Sequence, residues 1–595
     1  MRYAALVVVP IDHATPALSR FRQALARVPT RFALVSALGV APAAVAQVPP
    51  ALPPPIEQLR RPSDLPLPEP PPVPKAPEIL VPAPDVRPAA PILSEGARVN
   101  ARAFRFTGNT VVPEAELQSL AAPFLGRELG NAELEDLRLR ITRRYVDAGY
   151  VNSGAVIPDQ DVTSGTITYE IVEGRLSEIL VGGSNRFRPG YLRDRLALGA
   201  EPVLNVNQLQ ERMQLLLQDP QIERIAAELA PGTRPGEAVL RTDVTGAPAF
   251  FAGLILDNNR SPVVGANQAE LVFGTRNLLG QGETFTLQSA TTSGLDDYMT
   301  SLAVPLTARG TLFQARYEYT HSRVVEAPFD QLDISARSRS LELGFSHPLI
   351  EHPQRSLRAS ALVAKRSTQN YFLGEPSPFI PGAPDGRFNV SVLRLGLDGV
   401  DRSLEHVLAG RVLLSVGLNA FGATVGDGFP DSQFTAVLAQ IQWVQRSFSP
   451  DGQFVLRAEA QFANDALPGL EKYSLGGMDN VRGYRKDVFV RDNGWFGSIE
   501  YRHTIAHLAL REGAGAGEGA IRAALFADIG QARNHDGPST NPPYIASVGP
   551  GMRWEPVAGL DAVVYWGYAL RDVTTATTTS QDRGWHIRVS YSKAF

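Results

Sequence analysis

From Phe250 to the C-terminus the chain repeats one texture. Segments of roughly ten residues alternate apolar and polar side chains and are parted by turns rich in Gly, Asp, Asn and Pro. Phe454, Leu456, Ala458, Ala460 and Phe462 fall on one face of such a segment, and Val455, Arg457, Glu459 and Gln461 on the other. Phe313, Ala315, Tyr317 and Tyr319 alternate with Gln314, Arg316, Glu318 and Thr320. The last segment sets Trp585, Ile587, Val589, Tyr591 and Phe595 against His586, Arg588, Ser590 and Ser592. A period of two is the signature of a strand with one apolar face. Strands are expected to begin near Phe250, Ala266, Glu283, Asp297, Thr311, Ser338, Ser356, Phe388, Gly410, Ser432, Gly452, Gly494, Ala520, Tyr544, Leu560 and Gly584. That makes sixteen, an even number as in bacterial outer-membrane barrels. Each unit of roughly 22 residues leaves room for about 10 that span a bilayer and for turns. Aromatic strand ends and the terminal Phe595 favour a membrane barrel, lipid outside and wet lumen inside, over a soluble sandwich. Closure leaves no unpaired strand edge in lipid.

The residues upstream fit an exported protein. Arg20, Arg22, Arg27 and Arg31 precede the short apolar run Phe32–Ala46, which ends in Ala44-Val45-Ala46. A basic flank, a short apolar core and an A-x-A ending describe a secretory signal, cleaved after Ala46. The 595 residues include no cysteine, which excludes disulfide scaffolds, thiolate zinc sites and cysteine nucleophiles. The net charge of −4 gives no basic field for nucleic acid. Between Pro49 and Pro91 stand 17 prolines in 43 residues. Such a segment favours extended polyproline II and builds no core. It is read either as a spacer or as a tether that reaches a periplasmic partner or threads a pore.

Two small modules follow. Ala103–Thr107 reads as a strand, Pro113–Ala121 as a short helix, and Ala132–Ala148 as a second helix. The stripe Leu134, Leu137, Ile141 and Tyr145 defines that helix, and Gly149 stops it. Strands at Gly154–Pro158 and Thr166–Val172 complete a β-α-α-β-β unit. The order recurs with a strand at Leu176–Val181, helices at Pro189–Leu196 and Val206–Leu217, and strands at Ile225–Leu229 and Ala238–Val244. Open edge strands on such modules suit the addition of an extended client as a further strand. The expected organisation is a signal peptide (1–46), a proline-rich linker (47–96), two α/β modules (97–175 and 176–247) and a sixteen-strand antiparallel barrel (248–595).

The longest loop after mid-barrel, 465–493, carries Gly476-Gly477 and then Val481-Arg482-Gly483-Tyr484; Phe526-Ala527-Asp528-Ile529-Gly530 stands on the thirteenth strand. In the first module Gly149-Tyr150, Ala155 to Gln160 (with Pro158) and Glu173-Gly174 form a further pattern. Together these peptides resemble the two-partner secretion transporters (TpsB) of the outer-membrane assembly superfamily, whose periplasmic modules are POTRA domains. The resemblance covers about residues 97–595. It implies that the loop folds into the lumen and that Arg482 pairs with Asp528 on the wall, with Val481, Gly483, Tyr484, Phe526 and Gly530 completing the two motifs. Phe526 shares the parity of Asp528, so strict alternation turns an aromatic ring inward as well. It further implies that Gly149, Tyr150, Pro158, Gln160, Glu173 and Gly174 belong to a client-binding POTRA motif, and that Phe595 is the barrel's C-terminal signal.

By the same resemblance the partners are a secreted TpsA-type exoprotein (adhesin, haemolysin or toxin), outer-membrane lipid, and, during biogenesis, the barrel assembly machinery and periplasmic chaperones. No nucleic acid and no cofactor are expected, and no enzymatic activity. The sequence has no GxxxxGK[ST] phosphate loop and no Gly-x-Ser-x-Gly elbow. His321, His347 and His352 lie near strand ends without metal-ligand spacing and read as interfacial. The chain departs from the family where a pore-plugging helix often stands. Only Ile56–Arg61 has room for a helical turn, so the loop or the linker is expected to close the pore. The alternative function is an outer-membrane protein insertase of the same superfamily; such proteins commonly carry more than two POTRA modules.

Overall fold

The computed structural model describes residues 59–64, 77, 79–80, 98–377, 383, 385–427, 429–510, 518–536, 540–575 and 577–595. The expected signal segment (1–46) and most of the linker lie outside them.

The first module opens with β2 (Ala103–Thr107), which follows the isolated linker strand β1 (Ile79–Leu80). Then come α1 (Glu114–Ala121), α2 (Asn131–Asp147), β3 (Gly154–Val156) and β4 (Thr166–Val172). Its sheet runs β2-β4-β3, with β2 parallel and β3 antiparallel to β4. Leu134, Leu137, Ile141 and Tyr145 all point from α2 into the core, beside Phe104, Phe106, Ile167 and Tyr169. Gly149 ends α2 with φ +94°, its N–H returning to Val146 O while that of Tyr150 returns to Tyr145 O. These two bonds satisfy carbonyls that the helix end leaves open.

The second module has the same order: β5 (Arg175–Gly182), α3 (Pro189–Ala197), α4 (Val206–Leu216), β6 (Ile222–Pro231) and β7 (Glu237–Gly246). Asn205 accepts hydrogen bonds from the N–H groups of Asn207 and Gln208 to cap α4, and donates to Ala148 O of the first module at 3.0 Å. One side chain therefore starts a helix and joins the modules. The sheet order is β1-β6-β7-β5: the linker residues Ile79 and Leu80 lie parallel on β6, opposite Ala227 and Glu228. The linker is thus docked on the second module at this point.

The barrel closes with sixteen long antiparallel strands, to which the two-residue segments Glu375–Pro376 and Tyr568–Ala569 are appended. Each long strand starts within a few residues of its expected position. The first is Phe250–Asp257 and the sixteenth Trp585–Ala594; they pair from Phe251↔Ala594 to Asp257↔Arg588. Burial is inverted relative to a soluble protein. Leu271, Phe345, Leu397, Ile441, Ile499 and Leu525 are exposed, while Glu318, Arg366, Arg394, Gln461, Glu500 and Asp528 are buried. Apolar residues outward and polar residues inward is the arrangement of a barrel in lipid. The second module sits against the barrel's short turns: Arg195 donates to Thr307 O (2.9 Å), Gln221 to Gly282 O (2.9 Å) and Gln218 to Pro353 O (3.1 Å), and Arg212 pairs with Glu351 (2.7 Å).

Candidate functional site: the luminal loop and its anchors

The loop between the eleventh strand (Gly452–Ala463) and the twelfth (Asn493–His507) folds into the lumen. It carries its own small sheet, Tyr473–Leu475 paired with Phe489–Arg491. Tyr473, Leu475, Val481, Tyr484 and Phe489 cluster with Phe496, Ala532 and Ile545 of the wall. This apolar contact offsets the entropy of ordering a long loop. Asn480 tightens the turn: its Oδ1 accepts from the N–H of Gly476 and of Val481, both at 2.7 Å, and its Nδ2 donates to Ser474 O. Gly476 has φ +100°, and a Cβ there would meet Arg485 O at 2.5 Å, so only glycine fits.

Arg482 stands at the tip and is 1% exposed. Its Nε and one terminal nitrogen grip Asp528 at 2.8 and 2.7 Å, and its backbone N–H adds a third bond at 3.0 Å. The same terminal nitrogen donates to Ser498 Oγ at 3.0 Å, and the other reaches Glu500. Glu500 also accepts from Tyr565 Oη (2.9 Å) and Arg502 Nε (2.5 Å). The guanidinium lies 3.7 Å from the ring centre of Phe526. That stacking explains why an aromatic ring faces a wet lumen: it forms the floor beneath a delocalised cation. Arg482 and Arg502 offset the charges of Asp528 and Glu500.

The other motif residues shape the fit. A Cβ on Gly530 would meet Leu475 Cδ1 at 2.7 Å and Val481 Cγ2 at 3.1 Å, so this glycine gives the loop its seat on the thirteenth strand (Ala520–Arg533). Gly483 has φ +88° and packs on Gly567 O; its N–H donates to His586 Nε2 at 3.1 Å. Tyr484 Oη donates to Ala546 O and Arg571 O, each at 2.9 Å.

A second anchor lies at the base of the loop and escapes a motif-led reading. Glu471 is gripped by Arg366 of the seventh strand (Arg355–Phe372) at 2.9 Å and by Arg394 of the eighth (Arg387–Arg402) at 2.8 Å. Arg394 also reaches Glu342 at 3.1 Å, and Arg366 donates to Leu470 O at 2.7 Å. Glu500 and Ser498 were missed in the same way. Their parity is visible in the sequence, but only the register shows that Ser498 stands directly opposite Asp528.

The linker enters the lumen too. Leu59 is buried and Pro62–Asp64 forms one 3₁₀ turn. Arg366 donates to Arg60 O (2.5 Å), Arg60 donates to Gln288 (3.0 Å), Arg61 pairs with Asp487 (3.2 Å) and Lys486 with Asp64 (2.8 Å). The turn lies at Pro62–Asp64, where Pro62 can open it, and not within Ile56–Arg61, of which the described residues 59–61 are not helical; the segment is held by charge.

The residues of the first-module pattern make structural contacts. Glu173 accepts from Thr110 Oγ1, from the N–H groups of Thr110 (2.6 Å) and Val111 (2.9 Å), and from Tyr145 Oη (3.1 Å). Burial pushes its pKa up, but these donors outweigh burial and hold the carboxyl below its ordinary value. Gln160 bonds both the N–H and the carbonyl of Thr168 and, more loosely, Pro158 O. Tyr150 packs edge-on against Tyr145. Gly149 and Gly174 lie at the module joint: Val206 N–H donates to Gly149 O and Leu204 N–H to Gly174 O. Phe595 stacks on Phe250, ring centres 6.1 Å apart, where the first and last strands meet.

The profile of the haemolysin secretion/activation protein family ShlB/FhaC/HecB matches residues 236–554, and that of the ShlB-type POTRA domain matches 99–174. Outer membrane transporter CdiB of Escherichia coli O6:K15:H31 is 24% identical over 434 residues, covering 71% of each chain. Heme/hemopexin transporter protein HuxB of Haemophilus influenzae 86-028NP is 24% identical over 417 residues, 66% of this chain and 70% of that one. Among solved structures, CdiB from E. coli superposes with a TM-score of 0.64 at 20% identity, covering 85% of this chain and 94% of its own. BamA from Haemophilus ducreyi lacking POTRA domains 1–3 gives 0.52 at 13% identity, covering 83% and 100%. The structural likenesses speak for the fold; the family profile spans more than half of the sequence, and the chain belongs to the haemolysin secretion/activation protein family ShlB/FhaC/HecB.

Proposed function

We propose that Arg482 is the latch of a gated conduit through which this transporter passes one secreted exoprotein. Family membership makes the molecule a two-partner secretion transporter with its barrel in the outer membrane, its POTRA modules in the periplasm and a TpsA-type partner. The observation that carries the gating reading is a lumen occupied by the chain's own loop, seated on the wall by an apolar cluster and tied to it by buried charge pairs, with no covalent link. Charge pairs in a cavity open to water on loop departure can be broken and remade.

The client arrives unfolded and docks on the modules. The first-module pattern from Gly149 to Gly174 fixes the joint, and edge strands offer hydrogen-bond partners to an extended chain. Ile79 and Leu80 already lie on β6, so a client adding to that edge displaces the linker. The loop then shifts and the chain passes; folding outside supplies direction, since the sequence has no nucleotide-binding loop. The nature of the exoprotein (adhesin, haemolysin or toxin) belongs to this proposal, as do insertion by the barrel assembly machinery through Phe595 and escort by periplasmic chaperones. The deciding experiment co-expresses the chain with the exoprotein encoded beside its gene. Arg482→Ala is expected to abolish most release into the medium at unchanged membrane levels. Full secretion by that variant would sink the latch, and no secretion by the unaltered chain would sink the partner assignment.

A further inference from the structure

The barrel closes where its first strand meets its sixteenth. That seam has seven paired residues, against fifteen between the seventh and eighth strands. Its two ends are finished differently. At the periplasmic end the N–H of Phe595 donates to Phe250 O at 2.9 Å and the two rings stack. At the other end a backbone bond from Asn258 N–H to Ile587 O (3.2 Å) is joined by side chains. Asn258 donates through Nδ2 to Trp585 O (2.9 Å) and Ser580 Oγ (3.1 Å), while its Oδ1 accepts from the N–H of Ile587 (2.8 Å). Gln581, in the turn before the sixteenth strand, is fully buried. Its Nε2 donates to Asn258 O and to Arg260 O (2.7 Å), both just past the first strand. Its Oε1 accepts the backbone N–H of Lys486 at 2.7 Å. Both ends of the amide are engaged, which fixes its orientation.

Lys486 belongs to the luminal loop. Three residues earlier, the N–H of Gly483 donates to His586 on the sixteenth strand. The loop thus backs the seam from inside through two buried amides, a few residues from the latch on the twelfth and thirteenth strands. We infer that Gln581 is a positioning residue that couples docking of the loop to closure of the seam between the first and last strands. While the loop is docked, water is kept from Gln581, and its bonds to the two carbonyls form without competition. When the loop leaves, water competes for the same carbonyls and the stitch weakens toward the small net value of a solvated hydrogen bond. The inference concerns the barrel wall and stands whichever client is carried, so its test needs no client.

The chain has no cysteine, so an introduced pair reports alone. Leu256 and Val589 stand directly opposite across the seam; Ala439 and Ala460 do so between the tenth and eleventh strands and serve as control. Facing residues of antiparallel strands lie within disulfide reach. Leu256→Cys with Val589→Cys is oxidised in outer-membrane vesicles by a membrane-permeant copper catalyst, and the cross-linking rate is divided by that of the control pair. Gln581→Ala, and equally Gln581→Glu, which keeps the shape but removes both donors, is expected to lower this ratio at least threefold. Arg482→Ala, whose charged partners lie on the twelfth and thirteenth strands, is expected to lower it as well. A ratio unchanged in the Gln581 variants shows that Gln581 does not hold the seam and overturns the proposal. A ratio unchanged in Arg482→Ala shows that the seam ignores the loop and overturns it equally. Secretion plays no part in either reading, so failure here is distinct from failure of the transport assignment.

Discussion

Arg482 directs its guanidinium at two carboxylates and a ring at once, and each contact uses a property lysine lacks. A planar fork spans both oxygens of Asp528; a point charge on a flexible stem does not. Arg482→Lys is therefore expected to free the loop although charge is conserved. Maleimide labelling of Met478→Cys in the otherwise cysteine-free chain should accelerate at least tenfold. Loss of one partner from a buried pair costs about 3–5 kcal/mol, and Arg482→Ala should lie in that range for loop docking. Glu471 poses the opposite case, one carboxylate between Arg366 and Arg394. Glu471→Ala leaves two buried cations facing each other. The unfolding temperature seen by heat-dependent gel mobility should fall further for this variant than for Glu471→Gln, which keeps a hydrogen-bond acceptor.

At the scale of elements, the sequence told most where a repeating period governs, and least where a segment's partner is distant in the chain. Strand starts were legible because alternation in lipid admits one register per strand. The inward turn of Phe526 followed from parity alone, and its reason, the cation above it, did not. Glu471 ends a three-residue 3₁₀ turn (Gly469–Glu471) and Gln581 lies in a turn, segments too short for any period to mark a buried side chain. Leu59 and Ile79 were hidden by the prolines around them: composition reports that a segment builds no core of its own, not that it borrows another's. Glu173 ties the β2–α1 turn to the end of β4, and its folded pKa is depressed. Its contribution is thus fully present above the unfolded pKa and lost as pH falls through the folded one. The protection factors of the Thr110 and Val111 amides, taken relative to the intrinsic exchange rate at each pH, should fall on going from neutral to acid pH, and Glu173→Gln should flatten that dependence. On the linker, Ile79→Pro removes a backbone donor from the strand on β6. Titration of the transporter with the client's N-terminal domain should show tighter binding if the linker competes for that edge.

For the whole molecule, the lumen is obstructed twice, by the loop and by residues 59–64, and the two obstructions share Arg366, Lys486 and Asp487. Deleting 59–64 should leave an inserted barrel with raised conductance in planar bilayers, and adding Arg482→Ala should raise it further. A conductance equal to that of the unaltered chain would place the main obstruction in the loop alone. The pair of loop anchors has a mechanical side as well. Glu471 is fastened to the seventh and eighth strands and Arg482 to the twelfth and thirteenth, about a third of the circumference apart. A hydrogen-bonded cylinder resists stretching along its strands but yields to ovalisation, because flattening only bends the sheet. A strut fixed along a chord removes that soft mode. The resting barrel is a stiff tube; once the strut is withdrawn it becomes a compliant one, able to change its cross-section to suit the chain inside it.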